Sequence, residues 1–261
     1  MTTRDGVPTA AAVGFERGAA EYQRARPGYP AAVFDLLAAQ VGLGPGCQVL
    51  DLAAGTGKFT TGLVDRGAEV TAVEPVEAMA AELRAILPEV EVHDGLAESL
   101  PGPDDEFDLV TVAQAFHWFD APAALAEIRR VLRPGGSLAM VWNVRDETVD
   151  WVRQIGDLGE AAGGGRPYDQ HTSVDWEQVI AQAGGFGPVR EDWFPNWQEV
   201  DVDIVVDRVA STSWVSALAD EPRSAVLDEV RSLLVRHPAV RGHERFPFPH
   251  ATVVVTATST F

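Results

Sequence analysis

Short apolar runs alternate with amphipathic stretches over the first 145 residues. CQVLDL (47–52), AEVTAVE (68–74), EVEVHDG (89–95), FDLVTVAQA (107–115) and SLAMVWN (137–143) are apolar or β-branched and bounded by turn residues, which predicts five strands. Between them the spacing predicts helices. TGKFTTGLVDRG is closed by Gly67; the next opens at Pro75, carries Val76, Met79, Ala80, Leu83 and Leu87 on one face and stops at Pro88; a third opens at Pro122 with Leu125, Ile128 and Leu132 inward. Strands apolar on both faces that alternate with helices predict a parallel sheet with right-handed crossovers, a doubly wound α/β unit.

Beyond Asn143 the rhythm loosens. A helix is expected around 147–160, a glycine-rich turn at Gly163, Gly164 and Gly165, a short helix near 173–183 and a strand at 188–200. A helical section follows over about 202–237, in which Val226, Val230, Leu233 and Leu234 share one face of a helix started by Pro222, and HATVVVTATST at the end alternates like a strand. The organisation expected is an N-terminal capping segment (1–40), an α/β core (41–145) and a C-terminal part (146–261) that completes the sheet.

Composition narrows the partners. The 261 residues are 46% hydrophobic and 23% charged, which is ordinary for a folded domain of this length. With 39 acids against 20 bases the net charge is −19, and Lys58 is the single lysine. A field of that sign repels phosphate backbones and anionic lipid, so neither nucleic acid nor a membrane is expected as partner. Cys47 is alone, no stretch reaches the ~20 apolar residues that span a bilayer, and MTTRDGVPTA lacks the shape of a leader, so a cytoplasmic protein is expected. The pattern leaves the oligomeric state open.

DLAAGTGKFT (51–60) lies at the first strand-to-helix junction. Small residues there let backbone N–H groups approach a ligand, and Gly55 and Gly57 meet that need. Glu74 ends the next strand, where an acid can accept both hydroxyls of a ribose. A Walker loop is excluded by Leu52 and Phe59 at the positions of its first glycine and its Ser or Thr; a dinucleotide loop lacks its third glycine, since Thr60 stands there. Asp51 favours a ligand whose amino-acid end carries an ammonium and disfavours a pyrophosphate.

With VEP at 73–75, VLDLAAGTGKFT resembles the S-adenosylmethionine site of the class I methyltransferases, with Ala53 in place of the usual first glycine. YQRARPGYP (22–30), GLAESLP (95–101), AQAFHWFD (113–120) and LRPGG (132–136) extend the likeness to the type 11 small-molecule branch, including the trans-aconitate-methyltransferase-like enzymes. The resemblance implies a mostly parallel seven-stranded sheet with its last strand antiparallel, a helical cap over the active site, and methyl transfer to a small molecule. It also implies that Asp51 and the Ala53–Gly57 backbone hold the methionine end of the cofactor, that Glu74 grips the ribose, and that Pro75 or Val76 lies on the adenine. Leu96 and Ala97 fall at the adenine amino group, where Leu96 replaces the family's acid and Asp94 or a backbone contact must serve.

Tyr22 and Arg26 are read either as closing the pocket, with Arg26 near the methionine carboxylate, or as part of a packed capping segment. Ala113 and Gln114, at the exit of the fourth strand, face the cofactor or end the strand. His117 is a candidate general base or, with Trp118, a pocket wall. His117 and Asp120 make only two potential ligands, so no metal is expected. Trp193, Trp197 and Trp214 suggest a substrate wall or core, His237, His243 and His250 a lid or solvated positions, and the acids at 104–106 a solvated turn. Two alternatives stand beside the methyltransferase: an NAD(P)-dependent oxidoreductase, and an S-adenosylmethionine-binding protein with non-methylating chemistry.

Overall fold

The computed structural model describes residues 25–162, 174–212, 215 and 218–260. Tyr22, the glycine turn at 163–165 and Trp214 lie outside the described residues. In chain order the elements are α1 (Ala31–Val41), β1 (Gln48–Leu52), α2 (Lys58–Asp65), β2 (Glu69–Val73), α3 (Glu77–Ile86), β3 (Glu91–His93), β4 (Phe107–Ala113), a 3₁₀ turn (Phe116–Trp118), α4 (Ala121–Val131), β5 (Leu132–Arg145), α5 (Asp150–Ala161), α6 (Trp176–Ala183), β6 (Arg190–Val200), α7 (Val202–Ala210), α8 (Asp220–Arg236) and β7 (Phe246–Thr258).

One seven-stranded sheet forms in the order β3-β2-β1-β4-β5-β7-β6. β1 to β5 pair in parallel, while β7 inserts antiparallel between β5 and β6. The fold is thus the doubly wound, mostly parallel α/β sheet expected, and the strand order reverses between β1 and β4. That reversal opens a crevice at the carboxyl ends of the two strands, where ligands of open α/β sheets bind.

The central strands are apolar on both faces because both are covered. Leu50, Leu52, Val110, Val112, Leu138 and Met140 pack with Leu125 and Ile128 of α4 on one side. Val49, Leu109, Ala139 and Val141 pack with Val33, Phe34 and Leu37 of α1 and Phe59 and Leu63 of α2 on the other. A separate cluster joins Trp151 and Ile155 of α5, Val205 and Val209 of α7, Val230 and Leu234 of α8 and Phe246 and Phe248 of β7, so these three helices are rooted in the sheet by their own apolar core.

Some boundaries differ from the periodicity. Pro75 lies before α3 rather than inside it: Val76 is the extended N-cap (φ −94°, ψ 103°) and its N–H is taken by the Glu74 carboxylate, which fixes a turn ahead of the helix. β5 starts at Leu132, earlier than SLAMVWN, because Leu132 already pairs with Phe107 across a register shift. α8 starts at Asp220, which puts Pro222 within its first turn, where no intrahelical N–H is required of it. Among the described residues the helical section at 202–237 holds α7 and α8, with Asp201 capping α7 by accepting from the N–H of Ile204.

Candidate cofactor and acceptor site

The loop after β1 is held in shape by its neighbours. Gly55 and Gly57 have φ of 60° and 83°, and Ala53, where the family pattern has glycine, also adopts a positive φ of 50°. A Cβ on Gly57 would meet Cγ of Leu83 at 3.1 Å, so α3 presses directly on the loop. The N–H of Ala54 donates to the Val73 carbonyl at 3.2 Å, and the N–H of Gly55 to the Glu74 carboxylate at 2.8 Å. Glu74 takes the N–H of Val76 with its other oxygen, also at 2.8 Å. A single acid thereby ties loop, β2 and the entry to α3 together.

Asp51 lies beneath this loop rather than in contact with open space. It is fully buried, and its oxygens accept hydrogen bonds from the hydroxyls of Thr60 and Thr111, each at 2.7 Å. Burial raises its pKa to about 6 against the two hydroxyls, which lower it. Glu74, 4% exposed, is raised to about 7 by burial in spite of its two N–H partners, with the charges of Asp51 and Asp94 adding to the rise. Asp94 therefore stands close to Glu74, beside Leu96 and buried Ala97 in the segment after β3.

A cavity opens at the loop, lined by Ala53, Ala54, Gly55, Thr56, Lys58 and Phe59 of the cradle region and by Arg26, Pro27, Tyr29, Ala113, Gln114, Asn143 and Arg208 around it. Arg26, Ala53, Gly55, Ala113 and Gln114 were anticipated from sequence, and the fold brings them to one place. Gln114 sits at φ 62°, a left-handed conformation rarely adopted by a side-chain-bearing residue and the kind of strain found at functional sites. Lys58, dismissed as the lysine of a phosphate loop, does line the cavity, with its pKa lowered by burial.

His117 and Trp118 occupy the 3₁₀ turn after β4 and are not part of this lining. Their rings pack against each other at 4.8 Å, and Nδ1 of His117 is buried without a hydrogen-bond partner. Burial lowers the His117 pKa to about 4, so the ring is neutral near pH 7. Trp193 and Trp197 are 48% and 72% exposed on the edge strand β6, which removes them from any wall of this cavity. Among the described residues no group of three His, Cys, Asp or Glu stands close enough to hold a metal ion, and no helix is long and apolar enough to cross a membrane.

Sequence reasoning missed the two hydroxyls on Asp51 and two buried arginines. Arg208 of α7 is 1% exposed, lines the cavity, donates to Oε1 of Gln198 at 3.2 Å and lies 4.7 Å from the ring of Phe248. Arg145, at the end of β5, is 8% exposed. Opposite Arg145 on β7 stands His250, 2% exposed, whose Nδ1 lies 2.9 Å from the Phe248 carbonyl and whose Nε2 is buried without a partner. Burial, followed by the charges of Arg208, Arg145 and Arg26, holds His250 neutral far below the usual histidine range. The signal available in the sequence was an arginine inside the apolar run VVDRVA, and a histidine ahead of VVVT that was read as part of a lid or as solvated.

The donor set fits S-adenosylmethionine: a cradle closed to side chains at Gly57, an acid at the end of β2 with lone pairs left for ribose hydroxyls, and a buried carboxylate under the loop. Sheet order and cradle together define a class I methyltransferase. Residues 50–140 match the family described as a methyltransferase domain. The chain is 39% identical over 237 residues to an uncharacterised methyltransferase of Mycobacterium tuberculosis, with 91% of this chain and 92% of the relative covered. It is 31% identical to an uncharacterised methyltransferase-like protein of Schizosaccharomyces pombe, over 93% and 94% of the two chains. Among solved structures it superposes on the YcgJ protein of Bacillus subtilis with a TM-score of 0.59 at 17% identity, covering 89% of this chain and all of that one. The chain belongs to the S-adenosylmethionine-dependent methyltransferase family. The nicotinamide alternative falls with that, and Thr60, in the place of the missing third glycine, is committed to Asp51.

Proposed function

We propose that the protein transfers the methyl group of S-adenosylmethionine to a small organic anion. The observation that carries this reading is that Arg26 and Arg208 both line the cavity above the cradle, with Arg208 only 1% exposed, in a chain whose net charge is −19. Guanidinium groups withdrawn from water attract carboxylates and similar oxyanions far more strongly than surface lysines do. Arg26, next to the cradle, suits the carboxylate of the cofactor's own methionine, and Arg208, further round the same lining, suits the charge of the acceptor.

The cofactor, when bound, supplies a methyl group on a positively charged sulfur. The chain's residues have the tasks of alignment and water exclusion, which supply most of the rate in an in-line displacement. The Ala53–Gly57 loop and Glu74 would hold the donor, and Arg208 would orient the acceptor in line with the methyl group. An acceptor oxygen that is already anionic has no proton to lose, so this reading requires no general base.

The test is formation of S-adenosylhomocysteine with matched acceptors: small carboxylates, phosphates and sulfonates against their amides and methyl ketones. Turnover confined to the anions, with KM raised at least tenfold in Arg208→Gln and less in Arg208→Lys, is expected. Equal turnover of neutral analogues, with no effect of either variant on KM, would overturn the anionic acceptor.

A further inference from the structure

Asn143 of β5, Thr252 of β7 and Asn196 of β6 face the same side of three adjacent strands, since Asn143 pairs with Thr252 and Asn196 lies two positions beyond Phe194, the other partner of Thr252. Their side chains form a closed polar knot. The Thr252 hydroxyl donates to Oδ1 of Asn143 at 2.5 Å, and Nδ2 of Asn196 reaches Oδ1 of Asn143 at 2.9 Å and Oγ1 of Thr252 at 3.1 Å. Thr252 is fully buried and Asn143 4% exposed.

The knot has one outlet. Nδ2 of Asn143 and Nδ2 of Asn196 both donate to the carbonyl of Gly28, at 3.2 and 2.9 Å. Two residues further along β6, Nε2 of Gln198 donates to the carbonyl of Ala25 at 3.3 Å. Arg26, between these two points, reaches the Ser211 carbonyl beyond α7 at 3.2 Å. The segment Ala25–Tyr29, which gives Arg26, Pro27 and Tyr29 to the cavity, is thus clasped by side chains from the far edge of the sheet. Asn143 also serves the opposite wall, because its own carbonyl accepts from Nε2 of Gln114 at 3.3 Å, and Gln114 is the residue held at φ 62°.

Asn196 closes the knot from a half-buried position; polar side chains that satisfy one another over a buried pair fix a single geometry, and each lost partner leaves another group unsatisfied. We infer that Asn143 and Asn196 are positioning residues of the cofactor site, clasping the Ala25–Tyr29 segment over the cradle through the Gly28 carbonyl while Asn143 steadies Gln114 across the cavity. Asn196 lines no part of the cavity, so its effect on the cofactor must pass through the clasp. This inference rests on the methyltransferase reading of the site.

Asn196→Asp, of nearly equal volume but without the donor, and Asn196→Ala are the test, with two readouts. Calorimetric affinity for S-adenosylmethionine should weaken about tenfold or more in both variants, the loss of one to two hydrogen bonds at about 1.4 kcal/mol per decade. Amide exchange in residues 25–30 of the cofactor-free protein should accelerate at least tenfold, while the melting temperature stays within a few degrees. Wild-type affinity and unchanged exchange in Asn196→Asp would overturn the clasp. Failure of the wild-type protein to bind S-adenosylmethionine would instead sink the methyltransferase reading, and the exchange measurement would still report on the clasp.

Discussion

The hydroxyl of Thr60, in the first turn of α2, donates to the Asp51 carboxylate at 2.7 Å and so fastens the helix to the strand that precedes the cradle. Thr111 of β4 does the same from the other side. Both hydroxyls favour the ionised form of Asp51 against the burial that raises its pKa. A carboxyl whose folded pKa lies above its ordinary value costs stability as pH rises from the ordinary value through the folded one. Thr60→Val should therefore destabilise by about 1–3 kcal/mol at pH 7.5 and by less at pH 5, where Asp51 is largely protonated. Urea unfolding at the two pH values checks this; equal losses at both would mean the hydroxyl acts on packing alone.

Glu74 leads to a pH dependence of binding. Its pKa is raised to about 7, chiefly by burial, and the ionised form is the better acceptor for ribose hydroxyls. Affinity for S-adenosylmethionine should rise about tenfold between pH 6 and pH 8 as this proton is lost, with proton release visible in buffers of different ionisation enthalpy. Glu74→Gln should bind more weakly and show a flatter profile. An unchanged slope in that variant would place the titrating group elsewhere.

Gly57 is required by both its conformation and its neighbour. At φ 83° a side chain is strained by roughly 1–2 kcal/mol, and Cγ of Leu83 stands 3.1 Å from the site of a new Cβ. Gly57→Ala should lose stability by about that amount and cofactor affinity as well. Gly57→Ala combined with Leu83→Ala should recover part of the affinity by giving the loop room, although the cavity it opens keeps the protein less stable. Calorimetry on both variants separates the steric part from the conformational one.

What the chain announces locally was legible, and what it assembles across the sheet was not. Strands β1 to β5, the cradle glycines and Glu74 follow from periodicity and from an acid one strand after a glycine loop, all within 24 residues of Asp51 for the site itself. The hydroxyl of Thr111 comes from 60 residues away, the carbonyl of Gly28 is held by Asn196 across 168, and Arg208 reaches the cavity from α7. No pattern of spacing links such pairs, because strand pairing decides them: β1 beside β4 sets Thr111 opposite Asp51, and β7 between β5 and β6 brings Asn196 towards Asn143. Asp51 shows the same limit: its type and place suited the ammonium of the ligand, but its burial under two hydroxyls means that it acts on the cavity through its field and its remaining lone pairs.

His117 offers the sharpest choice between two roles. A positioned general base contributes roughly 10²–10⁴ to a rate, and works best with a pKa near the operating pH. The His117 ring has its pKa lowered to about 4, leans on Trp118 and lies outside the lining of the cavity above the cradle. At pH 7 such a ring is already neutral and holds a proton too weakly to gain much from accepting one. His117→Asn should then leave kcat within about threefold of wild type and keep the same pH profile, with at most a modest loss of stability from the altered packing against Trp118. A fall of a hundredfold or more, with the loss of an acidic limb from the profile, would restore His117 as the base and imply an acceptor that must be deprotonated.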